Sequence, residues 1–391
     1  MDKDKNVQAT PCNDLKDAVT VSEIKKQKKR RKKIPIAVKI LISLCMVLIL
    51  TIVSVFAYVS IAFEYNYEPI TKEPDALGFE EVIEEEIINV ALFGVDTRNF
   101  NSFKGNSDSI MILSVNTKTK KVKIISVMRD TLVPIERNGK ITYTKINAAY
   151  SYGGPELAIK TLNQNFGLDI SEYATVNING MMDIIDAVGG IDVTLVEQEV
   201  APTAQNTHGI NDTINEACNL LGKNPEEYYI TKPGTYHMNG LQAVAYSRIR
   251  YVKNVWGTNN DYGRTDRQRY VMEQLFNKAK TLSKSQYIDL VKAMLSCTQT
   301  SLSYSEIMSI AFRVMFDSPI FEQARVPLNE KDKSFLMPAP QASFGSVVYY
   351  DLNYASKIIH AFIYDNISFD EYIAANPIEK NDWYTQAISG A

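Results

Sequence analysis

The sequence predicts an α/β domain, a sheet covered by helices, set behind one N-terminal transmembrane helix. Three observations support that expectation. Residues 40–63 read ILISLCMVLILTIVSVFAYVSIAF, 24 positions without a charge. Beyond them, the runs IINVALF (87–93), SIMILSV (109–115) and VKIISVM (122–128) are almost continuously apolar and rich in β-branched residues. That is the pattern of strands buried on both faces. Between and after these runs, apolar side chains recur at helical spacing.

Taken in order, residues 1–39 form a basic segment in which KKQKKRRKK (25–33) places eight positive charges in nine positions. Next to a span of about 20 apolar residues, such a run stays on the cytoplasmic side. The expectation is therefore a single-pass cell-membrane protein, N-terminus inside, with everything after residue 63 outside. A cleaved signal peptide would have a shorter apolar region ending in small residues, which Ser-Ile-Ala-Phe-Glu does not resemble. Residues 64–86 are acidic and carry two prolines, and they read as an extended juxtamembrane linker. One domain over residues 87–370 follows, then a tail, 371–391. Within the domain, helical spacing covers 155–166, 180–188 and 266–279, and Gly189-Gly190 ends a helix before the strand IDVTL. Asn239 is the expected cap of a short helix leading to Arg248 and Arg250.

Charge is distributed unevenly. The chain has 42 Lys+Arg and 45 Asp+Glu, a net −3. Residues 1–63 hold 12 basic and 5 acidic side chains, which leaves 30 and 40 for the rest, so a +7 segment precedes a −10 one. With 45% hydrophobic residues the chain is not disordered, and four cysteines do not make a disulfide scaffold. Cys218 and Cys297 fall in the external part, without a pattern that decides whether they pair.

Within the acidic external part stand ten arginines, five of them between residues 248 and 269. A guanidinium is a planar fork suited to phosphate. Simple ion pairing with Asp261 and Asp266 is the alternative. Asp96 follows the first apolar strand (VALFGVDTR), with Arg98 two residues on. Asp108 precedes the second strand, and Arg129 and Asp130 end the third. Ligands collect outside strand ends in covered sheets. If the first two strands are neighbours, Asp96 and Asp108 approach one point, and two carboxylates suit Mg²⁺ or Mn²⁺ better than zinc. In GRTDRQ, Arg267 or Gln268 stacks one turn above Arg264, so both join the candidate phosphate group. Three scattered histidines and the lack of HExxH, GxSxG, SxxK and Walker A patterns remove the commonest peptidase, serine hydrolase, penicillin-binding and nucleotide-binding readings.

Together and in order, NVALFGVDTR, GNSDSIMILSVN, ISVMRDTLVPI, KINAAYSYGG, FGLDISEYATVNINGMMDIIDAVGGIDVTL and MNGLQAVAYSRIRY with DYGRTDRQR resemble the LytR-CpsA-Psr family of bacterial cell-envelope proteins. The resemblance runs over roughly residues 87–366. It implies a three-layer α-β-α fold with a mixed central sheet. It also implies a Mg²⁺-dependent phosphotransferase that moves an anionic glycopolymer (teichoic acid, capsule or a related polysaccharide) from a polyprenyl-pyrophosphate carrier to a peptidoglycan hydroxyl. Asp96 and Asp108 then hold the metal. Arg129, Lys145, Arg248, Arg250, Arg264 and Gln268, with Arg98, surround the pyrophosphate, and the lipid enters an apolar pocket between sheet and helices. Asp130 either acts as a base or orients Arg129. Asn106, Met128 and Ala148 depart from the family pattern. A pyrophosphatase or a membrane-bound regulator is the alternative, and no nucleic-acid partner is expected because residues 1–39 carry no helix-turn-helix pattern.

Overall fold

The computed structural model describes residues 66–97, 102–200, 208–317, 319–328, 336–337 and 345–377, with Met46 and Leu50. The basic run, the rest of the expected membrane segment and Arg98 lie outside the described residues. Among those described, no helix is long and apolar enough to cross a membrane.

The sheet and its helices fall within the unit Ala62–Ala391. In chain order the elements are β1 (Asn66–Tyr67), α1 (Pro74–Leu77), β2 (Ile87–Val95), β3 (Ser107–Asn116), β4 (Lys121–Val127), β5 (Leu132–Arg137), β6 (Lys140–Lys145) and α2 (Ala148–Phe166). There follow β7 (Glu172–Asn177), α3 (Ile178–Ala187), β8 (Ile191–Leu195), α4 (Glu197–Val200), α5 (Ile210–Leu221), β9 (Gly234–Met238), α6 (Gly240–Arg248) and α7 (Asn260–Ala279). The last are α8 (Lys284–Cys297), β10 (Thr298–Thr300), α9 (Tyr304–Asp317), β11 (Ile320–Val326), β12 (Leu336–Met337), β13 (Tyr349–Tyr350), α10 (Leu352–Ile363) and α11 (Phe369–Ala375).

Seven strands form a mixed sheet in the order β1-β10-β7-β2-β3-β4-β11. Strands β7 and β2 run parallel, as do β4 and β11, while β3 is antiparallel to both its neighbours. The three apolar runs of the sequence are β2, β3 and β4, side by side. Alternation along them divides the sheet into two faces. Ala91, Phe93, Ile110, Ile112, Ile125 and Val127 pack with α2 and α10 in one core. The other face is crossed by α7, where Phe276 stacks on Phe321 with centroids 4.6 Å apart and Thr265 donates to the Met128 sulfur. Helices thus cover both faces, and the substitution at Met128 is a packing contact. On that second face Val90, Met111 and Ile124 are buried, whereas Leu92 and Leu113 are half-buried. A second core joins α3, α5, α6 and α7 to the two-stranded β8–β9 sheet.

Local signals account for most boundaries. The regular part of α2 begins at Pro155, because Gly153 and Gly154 leave helical geometry. Asn239 caps α6 in a reciprocal capping box with Gln242. Gly240 is required there: a Cβ would lie 2.1 Å from the Met182 carbonyl oxygen on α3. Gly189 and Gly190 take φ of 84° and 90° and end α3. The strand IDVTL is β8, but it pairs with β9 outside the main sheet.

Two expectations about the chain's organisation are corrected, and one open question, the cysteine pairing, is answered. Residues 64–86 are not simply an extended linker, since β1 pairs with β10 and Leu77 on α1 is fully buried in the first core. An acidic segment docks here because its few apolar residues find a surface. The tail boundary at 370 cuts α11, whose Phe369 is buried against Phe362. Cys218 and Cys297 are both free thiols.

Arg267, expected to join the phosphate group, stands in the core instead. It is fully buried, its Nε donating to Glu199 at 2.8 Å and its other nitrogens to the carbonyls of Ile249 and Val252 at 3.0 and 2.9 Å. It therefore ties α7 to α4 and the loop after α6. Helix α7 begins six residues before Asp266, and three residues on from Arg264 the side chain has turned inward, while Gln268, four residues on, keeps the Arg264 face. Glu199→Ala, which strands a buried guanidinium, is expected to remove about 3–5 kcal/mol of stability. Chemical unfolding of the full chain in detergent checks this; a loss under about 1 kcal/mol, the range of exposed pairs, would contradict it.

A candidate anion site at the strand ends

The condition set by the sequence is met at β2 and β3. They are antiparallel neighbours, with Gly94 opposite Ser109 and Val95 opposite Ser107 across an irregularity in register. Asp96 and Asp108 therefore emerge at the same end of adjacent strands. Next along, β4 pairs Val127 with Ile110, which brings Arg129 and Asp130 to that end as well. Arg129 Nη1 donates to Asp108 Oδ1.

Two other segments close on this end. Helix α6 finishes at Arg248, and the chain passes through buried Ile249 in extended geometry to Arg250. In an extended stretch alternate residues share a side, so the two arginines leave together while Ile249 anchors the loop in the second core. Arg248 Nη2 lies 3.2 Å from Asp96 Oδ2 and 3.7 Å from Glu216 Oε2. The first turns of α7 bring Asp261 and Arg264. Asp261 is the hub: its carboxylate lies 2.8 Å from Arg250 Nη2, 3.0 Å from Arg264 Nη2 and 3.4 Å from Arg129 Nε. An acidic residue in a first helical turn also suits the helix dipole. Sequence reasoning counted Asp261 only as an ion-pair partner; its place three residues before Arg264 was the available signal. Asp266, the other suggested partner, serves Arg269 and Arg325 instead.

Lys145, at the end of β6, lies 2.9 Å from Asp130 Oδ1, and Asp130 Oδ2 is 3.7 Å from Arg129 Nε. Asp130 thus stands between two cations. Gln268 follows Arg264 by four residues on α7, on the same face. The structure therefore gathers Asp96, Asp108, Arg129, Asp130, Lys145, Arg248, Arg250 and Arg264, removes Arg267 to the core, and does not describe Arg98.

Electrostatics follow from this crowding. Burial lowers the Arg264 guanidinium to about 10, because attraction to Asp261 is offset by Arg129 and Arg250. Burial would lower Arg129 too, but Asp108, Asp261 and Asp130 hold it above its ordinary value. Desolvation pushes the Asp261 carboxyl up, and Arg264, Arg129 and Arg250 outweigh it, leaving the group below its ordinary 3.8. Even so, the donors exceed their acceptors. Arg129 Nε, Arg248 Nη1, Arg250 Nε and Arg264 Nε are buried without a hydrogen-bond partner among the described residues. Unpaired buried N–H groups are costly and usually await an acceptor. Four of them, on arginines drawn together by Asp96, Asp108 and Asp261, mark a candidate anion site.

Donor chemistry also fits a hard cation. Asp96 and Asp108 each meet an arginine through one oxygen, and among the described residues no three His, Cys, Asp or Glu side chains converge. Mg²⁺ is commonly held by one or two carboxylates together with substrate phosphate oxygens and water.

A mixed α/β domain with an arginine-lined site at its strand ends is the class that fold and site define. The model of the LytR_cpsA_psr family matches residues 54–340, and the chain belongs to that family. Among its relatives, biofilm regulatory protein A of Streptococcus mutans is 34% identical over 236 residues, which cover 58% of this chain and 53% of that protein. The polyisoprenyl-teichoic acid–peptidoglycan teichoic acid transferase TagU of Bacillus cereus is 30% identical over 247 residues, covering 62% of this chain and 70% of TagU. The chain thus spans about half the length of the first relative. The crystal structure of protein gbs0355 from Streptococcus agalactiae superposes with a TM-score of 0.55 at 26% identity, covering 75% of this chain and 96% of that one.

The depressed Asp261 pKa has a consequence for acid stability. A carboxyl depressed by folding contributes stability that is full above its unfolded pKa and lost as pH falls through the folded value. Asp261→Asn is therefore expected to flatten the acid limb of the stability curve below about pH 4. Denaturant midpoints of the two proteins from pH 2 to 7 check this, and parallel acid limbs would contradict it.

Proposed function

We propose that this chain is a membrane-anchored phosphotransferase. It moves an anionic glycopolymer from a polyprenyl-pyrophosphate carrier to a peptidoglycan hydroxyl, forming a phosphodiester on the outer side of the membrane. The observation that carries this reading is the set of four arginines at the strand ends with buried, unpartnered N–H groups. Membership of the family and the teichoic acid transferase activity of TagU support it. So do the run at 40–63 and its basic flank, which would keep the domain at the outer leaflet where a polyprenyl carrier lies.

The roles follow from placement. The acceptor hydroxyl attacks the polymer-side phosphorus and gives up its proton to solvent, the bridging bond to the carrier phosphate breaks, and polyprenyl phosphate leaves. Negative charge grows on that leaving phosphate, and Arg129, Arg250 and Arg264 would receive it with N–H groups already aimed inward. Arg248, Lys145, Gln268 and Arg98 would complete the pyrophosphate contacts. Asp130, set between Lys145 and Arg129, is a positioning residue in this reading rather than the base. Asp96 and Asp108 would hold Mg²⁺, with Mn²⁺ the alternative, and the ion when bound would neutralise pyrophosphate charge. Engaging both carboxylates would also release Arg248 and Arg129 toward the phosphates. The half-buried Leu92 and Leu113 on the second sheet face offer an apolar lining to the prenyl chain.

The test uses the full chain in detergent with a lipid-linked oligosaccharide, Mg²⁺ and peptidoglycan fragments. A polymer–glycan adduct is expected, reduced about 10²–10³-fold or more by Arg129→Ala or Arg264→Ala. Asp96→Ala is expected to raise the Mg²⁺ concentration needed for half-maximal rate. Free phosphate without an adduct would contradict transfer and indicate pyrophosphate hydrolysis.

A further inference from the structure

A second cavity opens on another side of α7, away from the Arg264 face. Its volume is about 320 Å³, and its walls come from the loop before α7 (Trp256, Thr258), from α7 itself (Asp266, Arg269, Tyr270, Glu273) and from β11 (Gln323, Arg325). The strand β11 is the last of the sheet, so the cavity lies at the sheet's edge.

The loop that presents Trp256 is built rather than slack. Buried Asn254 accepts through its side-chain oxygen from Trp256 N at 3.1 Å and from Thr258 N at 3.0 Å. Gly257 takes a φ of 76° to complete the turn. Tyr270 holds the indole edge-on, ring centroids 5.3 Å apart and planes at 75°. Despite that support, Trp256 remains 48% exposed. An oriented aromatic face is therefore presented beside a polar cavity.

The polar walls are balanced. Asp266 pairs with Arg325 and with Arg269 at 2.8 Å and accepts from Thr258 Oγ1 at 2.5 Å, while Gln323 Nε2 donates to Glu273 Oε2 at 2.8 Å. Two carboxylates and two guanidiniums leave no net charge, in contrast to the anion site. Two buried groups among the lining residues, the N–H at Arg269 Nε and the oxygen Gln323 Oε1, have no hydrogen-bond partner among the described residues. One donates and one accepts. A ligand matched to these walls is uncharged, carries hydroxyl or amide groups able to do both, and has an apolar face for the indole. A pyranose ring meets all three conditions, with C–H groups on its face and hydroxyls at its edge. Aromatic surface with a few convergent polar groups is the general make-up of a small-ligand pocket, and the volume lies at the lower end of the usual range.

We propose that this cavity is a saccharide subsite, separate from the anion site and taking an uncharged hexose or N-acetylhexosamine unit of a glycan chain. Asp261 and Asp266 are five residues apart on α7, about 7.5 Å along its axis. A glycan held on Trp256 would thus lie one helix width from the phosphate-binding arginines. The proposal does not depend on the phosphotransferase reading, because binding is measured without turnover.

The test uses the full chain in detergent. The chain has two tryptophans, so Trp383→Phe leaves Trp256 as the only indole reporter. Titration with a β-1,4-linked N-acetylglucosamine tetrasaccharide is expected to change its emission saturably. By calorimetry, Trp256→Ala and Gln323→Ala should each weaken binding about tenfold or more. Parallel titrations with a glucose tetrasaccharide and with poly(glycerol phosphate) separate the sources. A response to the acetylated oligomer alone assigns the subsite to wall-type glycan, and a response to both tetrasaccharides assigns it to sugar rings of either wall or carried polymer. Both outcomes support the proposal. A response to poly(glycerol phosphate) alone, no saturable response to any probe, or affinity unchanged in both variants would overturn it.

Discussion

Three guanidinium groups cannot share the end of a sheet unless a negative charge stands among them, and Asp261 is that charge. It lies within 3.4 Å of Arg129, Arg250 and Arg264, which come from three separate segments of the chain. The strand end of β4, the loop after α6 and the first turn of α7 are thereby brought to one place. Asp108 and Asp96 do the same for Arg129 and Arg248 at the ends of β3 and β2. The carboxylates hold the arginines together without satisfying them, since each of the four keeps a buried N–H with no acceptor. A cluster that is charge-compensated but short of acceptors has the make-up proposed above for binding an oxyanion.

Further back, the arrangement depends on residues that never meet a ligand. Buried Arg267 and Glu199 fix α7 against α4, and two of the Arg267 donors hold the carbonyls of Ile249 and Val252. Those carbonyls belong to the segment that carries Arg250, so the core pair sets where the loop arginine stands. Gly240 permits the contact of α6 with α3 that aims Arg248. One helix thus has three kinds of side: a core side at Arg267, an anion side at Asp261, Arg264 and Gln268, and an edge side at Asp266 and Tyr270.

Much of this was legible in the sequence because the signals are local. Continuous apolar runs marked β2, β3 and β4, and charged residues at their ends marked Asp96, Asp108, Arg129 and Asp130 before any pairing was known. Capping at Asn239 and the glycine pair at 189–190 placed two helix ends. What escaped needed long-range information. The start of α7 at Asn260 rather than near Asp266 shifts no apolar residue, yet it moves Arg267 from the site into the core. The docking of β1 and α1 rests on the buried Leu77, with Ile70 and Phe79 packed against the same core, in a segment whose composition is otherwise that of a linker. Asp261 read as a surface ion-pair partner because the convergence of three segments on it leaves no mark on any one of them.

In the proposed reading, the strand-end arginines form one anion site for a lipid pyrophosphate. Calorimetric titration of the full chain in detergent with polyprenyl pyrophosphate, at several salt concentrations, tests it most directly. A single saturable site, weakening with salt and lost in both Arg129→Ala and Arg264→Ala while the fold persists, is the expected result. Equal binding by the wild type and both variants would contradict it.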